Sequence, residues 1–109
     1  KSTEQIIDAR VFGAMKPGAI FINVGRGSAV DEDALYQSLI TGHIASASSD
    51  VFAQEPLSSE SPFWNMPNFL VTPHYSGGYY EGAGIQRRAF AARNISKFLL
   101  KQPIECRIT

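Results

Sequence analysis

Four side chains that could bind or protonate a small molecule lie at or just beyond short apolar runs of the sequence. Arg26 stands between two glycines in VGRGS, Asp50 opens DVFAQEP with Glu55 near its end, and His74 follows a proline in VTPHY. An imidazole beside a carboxylate can give a proton to a carbonyl oxygen or take one from an alcohol, because the anion favours the protonated ring. A guanidinium binds a carboxylate in a fixed orientation through its planar fork. These residue types therefore suit a 2-keto acid, which carries a carbonyl and a carboxylate side by side.

This set of residues lacks a carrier of hydride or electrons, and no protein side chain can act as one. A nicotinamide placed over the strand ends would complete a reduction. Each residue also has an ordinary structural interpretation. Arg26 could be a solvated surface charge and His74 a structural histidine, while Asp50 could be a turn cap and Glu55 an exposed loop acid. His43 offers only a position at the C-terminal end of a helix, where positive charge is favourable. The hypothesis of a site therefore depends on a fold that brings the four residues together.

Helical and strand patterns alternate along the chain and predict such a fold. The predicted elements are a helix at 3–15, a strand at 19–24, a helix of about ten residues between a cap at Asp31 and a stop at Gly42, a strand at 44–52, a loop at 54–67, a strand at 69–72 and a helix at about 80–100. This alternation predicts an α/β fold with a parallel sheet and right-handed crossovers. Ligands of open parallel sheets lie beyond the carboxyl ends of the strands. Because the three strands end near Arg26, Asp50 and His74, we predict that these polar side chains lie together along one edge of the sheet, which we call the polar rim.

Local signals define the ends and the buried sides of these elements. Ser2 or Thr3 is the expected N-cap of the first helix, and Asp31 that of the second. The apolar run AIFINV predicts a strand that is buried on both faces. The apolar side of the second helix is expected to consist of Ala34, Leu35, Leu39 and Ile40. These assignments define the core that the sequence predicts.

Two glycines and a proline accompany the candidate site residues. Gly25 and Gly27 would let the backbone turn sharply and let a flat ligand approach closely. Pro73 would hold the preceding residue extended and stiffen the approach to His74. These residues favour an ordered binding site over an irregular surface loop.

Composition limits the classes of function and partner. The 109 residues carry ten basic and ten acidic side chains, so no charge excess favours nucleic acid or an anionic membrane. No apolar run approaches the ~20 residues of a membrane span, and we expect neither a membrane partner nor a bound metal. The single Cys106 cannot form a disulfide within the chain and fits a reducing compartment such as the cytoplasm.

Three segments, MKPGAIFINVGRGSAVDEDAL, DVFAQEPL and NFLVTPHYSG, closely resemble the D-isomer-specific 2-hydroxyacid dehydrogenases in order and spacing. The resemblance implies that Arg26 binds the substrate carboxylate, that Glu55 supports the catalytic histidine, and that His74 is the acid/base. It also implies that Asp50 contacts the nicotinamide carboxamide. The cofactor contacts implied in this way are Val24, Gly25, Arg26, Asp50, His74 and Gly77. One departure from the family pattern is Gly25, which stands where alanine is frequent.

The same resemblance implies that the sequence belongs to a larger enzyme. Residues 1–78 would be the C-terminal half of a Rossmann-type doubly wound parallel sheet that binds NAD or NADP, and 79–109 a helix and tail returning toward a substrate domain. The fingerprint G-x-G-x-x-G for the pyrophosphate does not occur in the sequence. We therefore expect the chain alone to be inactive, and to self-associate through its edge strand at 19–24 or to fold only marginally. The complete enzyme is expected to be a homodimer acting on a small 2-keto or 2-hydroxy acid.

Two other functions stay open on the sequence alone. A cofactor-sensing corepressor of the same fold would keep Arg26, Glu55 and His74. Turnover of glyoxylate, hydroxypyruvate or pyruvate by the full-length protein would separate that function from a dehydrogenase. The chain could also be a small interaction module without activity, and an in-frame glycine-rich loop upstream of Lys1 would argue against that.

Overall fold

The computed structural model describes residues 3–77 and 81–105. The chain divides into two units, Lys1–Ser76 and Gly77–Thr109. The elements of the first unit, in chain order, are α1 (Ala9–Ala14), β1 (Ala19–Asn23), a 3-10 turn (Gly27–Ala29), α2 (Glu32–Ile40), β2 (Ile44–Ser49), a second 3-10 turn (Pro62–Asn65) and β3 (Phe69–Val71). The second unit contains α3 (Glu81–Leu99). Cys106 and the predicted cap Ser2 lie outside the described residues.

The three strands form one parallel sheet in the order β1-β2-β3. β1 pairs with β2 from Ala19 to Asn23, and β2 pairs with β3 through Ala47, Ser48 and Ser49. This confirms the predicted α/β fold with parallel strands. Because the strands run the same way, their carboxyl ends lie at one edge of the sheet, and the segments that follow them carry the candidate site residues.

The core of the first unit lies between one face of the sheet and helices α1 and α2. The ring of Phe12 from α1 meets that of Phe21 from β1 edge to face at 5.2 Å between centroids, and Phe63 stacks on Phe69 of β3 at 4.3 Å. Aromatic pairs of this kind stabilise a core beyond the area they bury. The buried residues that pack together in this hydrophobic core are Phe12, Val30, Ala34, Leu35, Leu39, Ile44, Ala47, Phe52 and Phe63.

Helix α1 begins six residues later than the predicted helix at 3–15. Its N-cap is Asp8, whose carboxylate accepts a hydrogen bond from the Val11 amide at 2.9 Å. The segment before the cap forms an extended contact instead, because Ile7 pairs in parallel with Val30 and its amide donates to the Ala29 carbonyl at 3.0 Å. The prediction of helix over 3–8 was therefore wrong. A tertiary backbone pairing and an aspartate cap outweigh the apolar spacing in that segment.

Two predicted burials also differ from the structure. β1 is not buried on both faces, since Ile20 and Ile22 are 70% and 65% exposed. Successive strand residues point to opposite faces, and α1 and α2 cover only the face that carries Phe21. Ile40, the last residue of α2, is 56% exposed, whereas the other three predicted apolar residues of that helix are buried. The N-cap predicted at Asp31 is confirmed, because its carboxylate accepts from the Ala34 amide at 3.0 Å.

Within its own unit, α3 is tied to the segment that follows it. Lys97 and Glu105 form an ion pair at 2.6 Å, and the hydrogen bond from Lys97 is the main cause that lowers the pKa of Glu105. The Asn94 side chain accepts from the Glu105 amide at 2.8 Å. The predicted helix at about 80–100 agrees with α3 over the described residues. None of the helices in the described residues is long and apolar enough to cross a membrane.

Candidate active site

His74 is placed by the short segment that leaves β3. The strand ends at Val71, two residues before Pro73. The His74 amide donates to the Thr72 carbonyl at 3.1 Å. His74 adopts φ +51°, a left-handed conformation that costs energy for a residue with a Cβ. Such conformations are held by the surrounding structure and cluster at functional sites. The backbone of the loop is therefore arranged to present this imidazole.

Glu55 lies directly against the histidine. The His74 Nδ1 is 2.6 Å from the Glu55 Oε2, and the Glu55 Oε1 accepts from the Phe52 amide at 3.0 Å. The hydrogen bond from His74, followed by the one from Phe52, lowers the pKa of Glu55. An ionised carboxylate only accepts hydrogen bonds, so Nδ1 carries the proton that it donates to Glu55. Among the described residues nothing bonds to Nε2, and this nitrogen is left for a ligand.

A cavity of about 440 Å³ opens beside this pair. Its polar lining comes from Asp50, Glu55, Thr72 and His74, and the remainder is apolar. The apolar lining residues are Phe52, Pro56, Leu57, Trp64, Val71 and Pro73. A mostly apolar cavity with a few converging polar groups is the usual form of a small-molecule site.

Asp50 joins the end of β2 to the segment after β3. Its side chain is almost fully buried, and its carboxylate accepts from the Thr72 hydroxyl at 2.6 Å and from the amides of Tyr75 and Ser76 at 3.1 and 2.9 Å. Burial raises the pKa of Asp50, but these hydrogen bonds outweigh burial and lower the pKa to about 2. The Ser76 side chain adds a further hydrogen bond to this carboxylate. Asp50 is therefore first a structural anchor between β2 and the segment after β3.

The anchoring by Asp50 predicts a specific sensitivity to acid. Because the pKa of Asp50 is lowered from 3.8 to about 2 in the folded chain, its ionised form stabilises the fold fully above pH 3.8, and this stabilisation is lost as the pH falls toward 2. We expect Asp50→Asn to lower the free energy of unfolding at neutral pH. We also expect it to flatten the decrease of this free energy between pH 3.8 and about 2. Urea unfolding at a series of pH values measures both effects. Asp33→Asn, at an exposed residue of α2, is the matched control, and an equal flattening there would contradict the prediction.

The segment after β1 carries the predicted substrate-binding arginine. Arg26 is exposed, and its guanidinium Nη1 donates to the Gly25 carbonyl at 2.8 Å. The Asn23 side chain accepts from the Gly25 amide at 3.1 Å, which folds the segment over the end of the strand. Arg26 does not line the cavity beside His74. Val24, two residues before Arg26, is exposed. Gly77, the first residue of the second unit, is exposed as well.

The two glycines beside Arg26 differ in what a side chain at each position would meet. Neither has a positive φ, so the backbone conformation alone does not require glycine at either position. A Cβ on Gly25 would come no closer than 3.6 Å to the Asn23 side chain, which is ordinary contact. A Cβ on Gly27 would lie 1.9 Å from the Phe52 carbonyl carbon and 2.4 Å from the Ala53 nitrogen. Gly27 therefore serves close packing against the chain's own backbone and not the approach of a ligand.

Sequence reasoning missed two residues that shape the site. Thr72 bonds to Asp50, as described above, and Glu32 of α2 accepts from the Ala53 amide at 2.7 Å. Both bonds join residues that are about twenty positions apart in the chain, and no local pattern marks such pairs. A threonine before proline and an acidic residue in the first helical turn are common in other settings. No group of three or more His, Cys, Asp or Glu side chains in the described ranges could hold a metal ion.

Comparison with known proteins places these residues in a family context. Residues 1–76 match the profile of the family described as "D-isomer specific 2-hydroxyacid dehydrogenase, NAD binding domain". The glyoxylate/hydroxypyruvate reductase B of Pectobacterium atrosepticum is 44% identical over 79 residues, which cover 72% of this chain and 25% of that protein. The enzyme of the same name from Shigella boydii is 48% identical over 79 residues, covering 72% of this chain and 24% of that protein. The chain thus spans about a quarter of the length of these curated relatives.

Solved structures are similar over nearly the whole chain. A D-isomer specific 2-hydroxyacid dehydrogenase from Xanthobacter autotrophicus, in complex with NADPH and MES, has a TM-score of 0.72 and 37% identity, covering 98% of this chain and 43% of that one. An NADPH-dependent glyoxylate/hydroxypyruvate reductase from Sinorhizobium meliloti, in complex with NADP and sulfate, has a TM-score of 0.69 and 36% identity, covering 94% of this chain and 33% of that one.

Proposed function

Because the chain belongs to the D-isomer-specific 2-hydroxyacid dehydrogenase family, whose NAD-binding domain is matched by residues 1–76, we propose that it supplies the acid/base part of an active site that interconverts a 2-keto acid and a 2-hydroxy acid. The observation that carries the proposal is the bond of 2.6 Å between Nδ1 of His74 and Glu55. This bond leaves Nε2 as the nitrogen that exchanges a proton with the substrate. The two curated relatives named above are glyoxylate/hydroxypyruvate reductases, and we propose small 2-keto acids of that size as substrates.

The end of the sheet fits a nicotinamide cofactor, NAD or NADP, which would supply or accept the hydride. At the end of β1, Val24 is 61% exposed, and Gly25 has no side chain, so a flat ring can approach the backbone. The Asp50 carboxylate lines the cavity beside His74, and a carboxylate oxygen suits the amide N–H of a carboxamide. We propose that Val24, Gly25 and Asp50 hold this part of the cofactor.

His74 and Glu55 would move the proton of the reaction. In the direction of reduction, the protonated imidazole gives the Nε2 proton to the carbonyl oxygen, which becomes the hydroxyl of the product. The Glu55 carboxylate stabilises the imidazolium before the transfer and holds the ring through Nδ1. In the direction of oxidation, Nε2 takes the hydroxyl proton. One pair of residues therefore serves both directions.

Arg26 would bind the substrate carboxylate. A guanidinium has five N–H donors, and the structure shows one nitrogen of Arg26 donating, to the Gly25 carbonyl. The remaining donors suit a bidentate bond with a carboxylate. Since the chain spans about a quarter of its curated relatives, we propose that the complete enzyme adds the rest of the cofactor site and the substrate domain. From the family resemblance we further propose a cytoplasmic homodimer.

The test of this function is turnover by the full-length protein that carries this chain. Glyoxylate, hydroxypyruvate and pyruvate are offered with NADH and with NADPH, and loss of the absorbance of the reduced cofactor is followed. We expect reduction of at least one of these acids. Cofactor binding without turnover of any 2-keto acid would favour the sensing function, and an absence of both binding and turnover would overturn the proposal altogether.

The role of Arg26 predicts a loss of substrate binding. We expect Arg26→Ala to raise KM for the keto acid about a hundredfold, because two hydrogen bonds to a charged group are worth about 3 kcal/mol together. The value of kcat should fall much less, since the interaction exists before the transition state. Arg10→Ala removes another exposed arginine, 83% exposed in its side chain, and should leave KM unchanged. Equal KM values in wild type and Arg26→Ala would exclude the proposed role.

A further inference from the structure

The peptide bond between Phe52 and Ala53 is contacted by the segment 27–32, which has no part in the proposed reaction. Gly27 is buried and would collide with this peptide if it carried a Cβ. Glu32, in the first turn of α2, accepts from the Ala53 amide through its Oε1 at 2.7 Å. The segment 27–32 therefore holds one peptide by steric contact and by a hydrogen bond to a carboxylate.

The held peptide adjoins the bond that orients Glu55. The Phe52 amide, one residue before Ala53, donates to the Glu55 Oε1 at 3.0 Å, and the Glu55 Oε2 meets the His74 Nδ1 at 2.6 Å. Two successive amides are thus bound by two different carboxylates. Because the peptide planes of adjacent residues are linked through a single Cα, fixing one amide restricts the direction of the other.

We propose that Glu32 is a positioning residue for the acid/base pair, an inference that rests on the proposed function. By accepting from the Ala53 amide, the Glu32 carboxylate holds the segment 52–55 so that Glu55 faces the imidazole of His74. A charge-assisted bond of this length is roughly twice as strong as a neutral one. The competing interpretation is that Glu32 only favours the N-terminus of α2 through the helix dipole. Its neighbour Asp33 stands in the same turn, is exposed, and its side chain shows no hydrogen bond among the described residues.

Three variants of the full-length protein separate these interpretations. Glu32→Ala removes the acceptor, Glu32→Gln keeps a carbonyl oxygen that can accept from Ala53, and Asp33→Ala removes an equal charge from the same turn. We expect Glu32→Ala to lower kcat about tenfold to a hundredfold, as displacement of a catalytic group does, while KM changes by less than about threefold. Glu32→Gln should restore most of kcat, and Asp33→Ala should leave it unchanged.

Hydrogen exchange supplies a readout that does not depend on turnover. In Glu32→Ala the amides of Phe52 and Ala53 should exchange at least about tenfold faster than in the wild type, and the NMR resonance of the His74 Nδ1 proton should weaken or shift. Both features should be retained in Asp33→Ala and largely restored in Glu32→Gln.

The outcomes distinguish this inference from the proposed function. An active wild type with equal loss of kcat in Glu32→Ala and Asp33→Ala would overturn the positioning role and leave the function intact. If the wild type reduces no keto acid, the proposed function fails, and with it the catalytic purpose of the positioning. In that case unchanged exchange at Ala53 in Glu32→Ala would also refute the structural link, and accelerated exchange with a weakened Nδ1 resonance would support it.

Discussion

His74→Asn in the full-length protein is expected to lower kcat about a thousandfold, because general acid/base catalysis by a positioned side chain contributes roughly 10²–10⁴. Asparagine is the informative replacement, since His74 has φ +51° and asparagine tolerates this conformation better than alanine does. Its amide can also donate to Glu55, so the local bond is kept while the exchangeable proton is lost. Steady-state kinetics in both directions of the reaction measure the effect.

The second histidine of the chain provides the matched control. The Nε2 of His43 lies 3.0 and 3.1 Å from the carbonyls of Phe12 and Met15, so it donates a proton to them and holds the end of α1. We expect His43→Gln to retain kcat within about threefold, because this contact is remote from the proton transfer. Added imidazole should restore part of the activity of His74→Asn. Wild-type kcat in His74→Asn, or an equal loss in both variants, would refute the assignment of His74.

Gly27→Ala is expected to cause the largest loss of stability among single-methyl changes in the site. The new Cβ would lie 1.9 Å from the Phe52 carbonyl carbon and 2.1 Å from its oxygen, and a backbone cannot move aside as a flexible side chain can. Overpacking usually costs 1–3 kcal/mol, and a backbone collision belongs at or above the upper end, about 3 kcal/mol or more. Chemical unfolding of the full-length protein measures the change in unfolding free energy.

Gly25→Ala is the control with the same chemistry two residues away. Its Cβ would meet only the Asn23 side chain, at 3.6 Å, and its φ is not in the left-handed region. We expect the unfolding free energy to change by less than about 0.5 kcal/mol, or to rise slightly because alanine restricts the unfolded chain. Equal stability of the two variants would show that Gly27 is not needed for close packing.

Much of the fold was predictable because it depends on local pattern. The continuous apolar run of β1, the aspartate before α2 and the alternation of helices with strands each reflect a physical preference expressed within a few residues. Together they predict a parallel sheet, and a parallel sheet has all its carboxyl ends at one edge. The rim that holds Asp50 and His74 follows from that rule, and the motifs indicate the family before any coordinates are seen.

The sequence by itself therefore determined the class of fold, the family and the residue types available for chemistry. Only the tertiary structure decided how those residues are used. It shows that Asp50 is almost fully bonded within the chain, that Gly27 packs on backbone, and that Glu32 holds the Ala53 amide. It also shows that Ile20 and Ile22 are exposed. The physical reason is distance along the chain. A hydrogen bond or a collision between residues twenty or more positions apart depends on how the elements pack, and no spacing within a helix or strand records it.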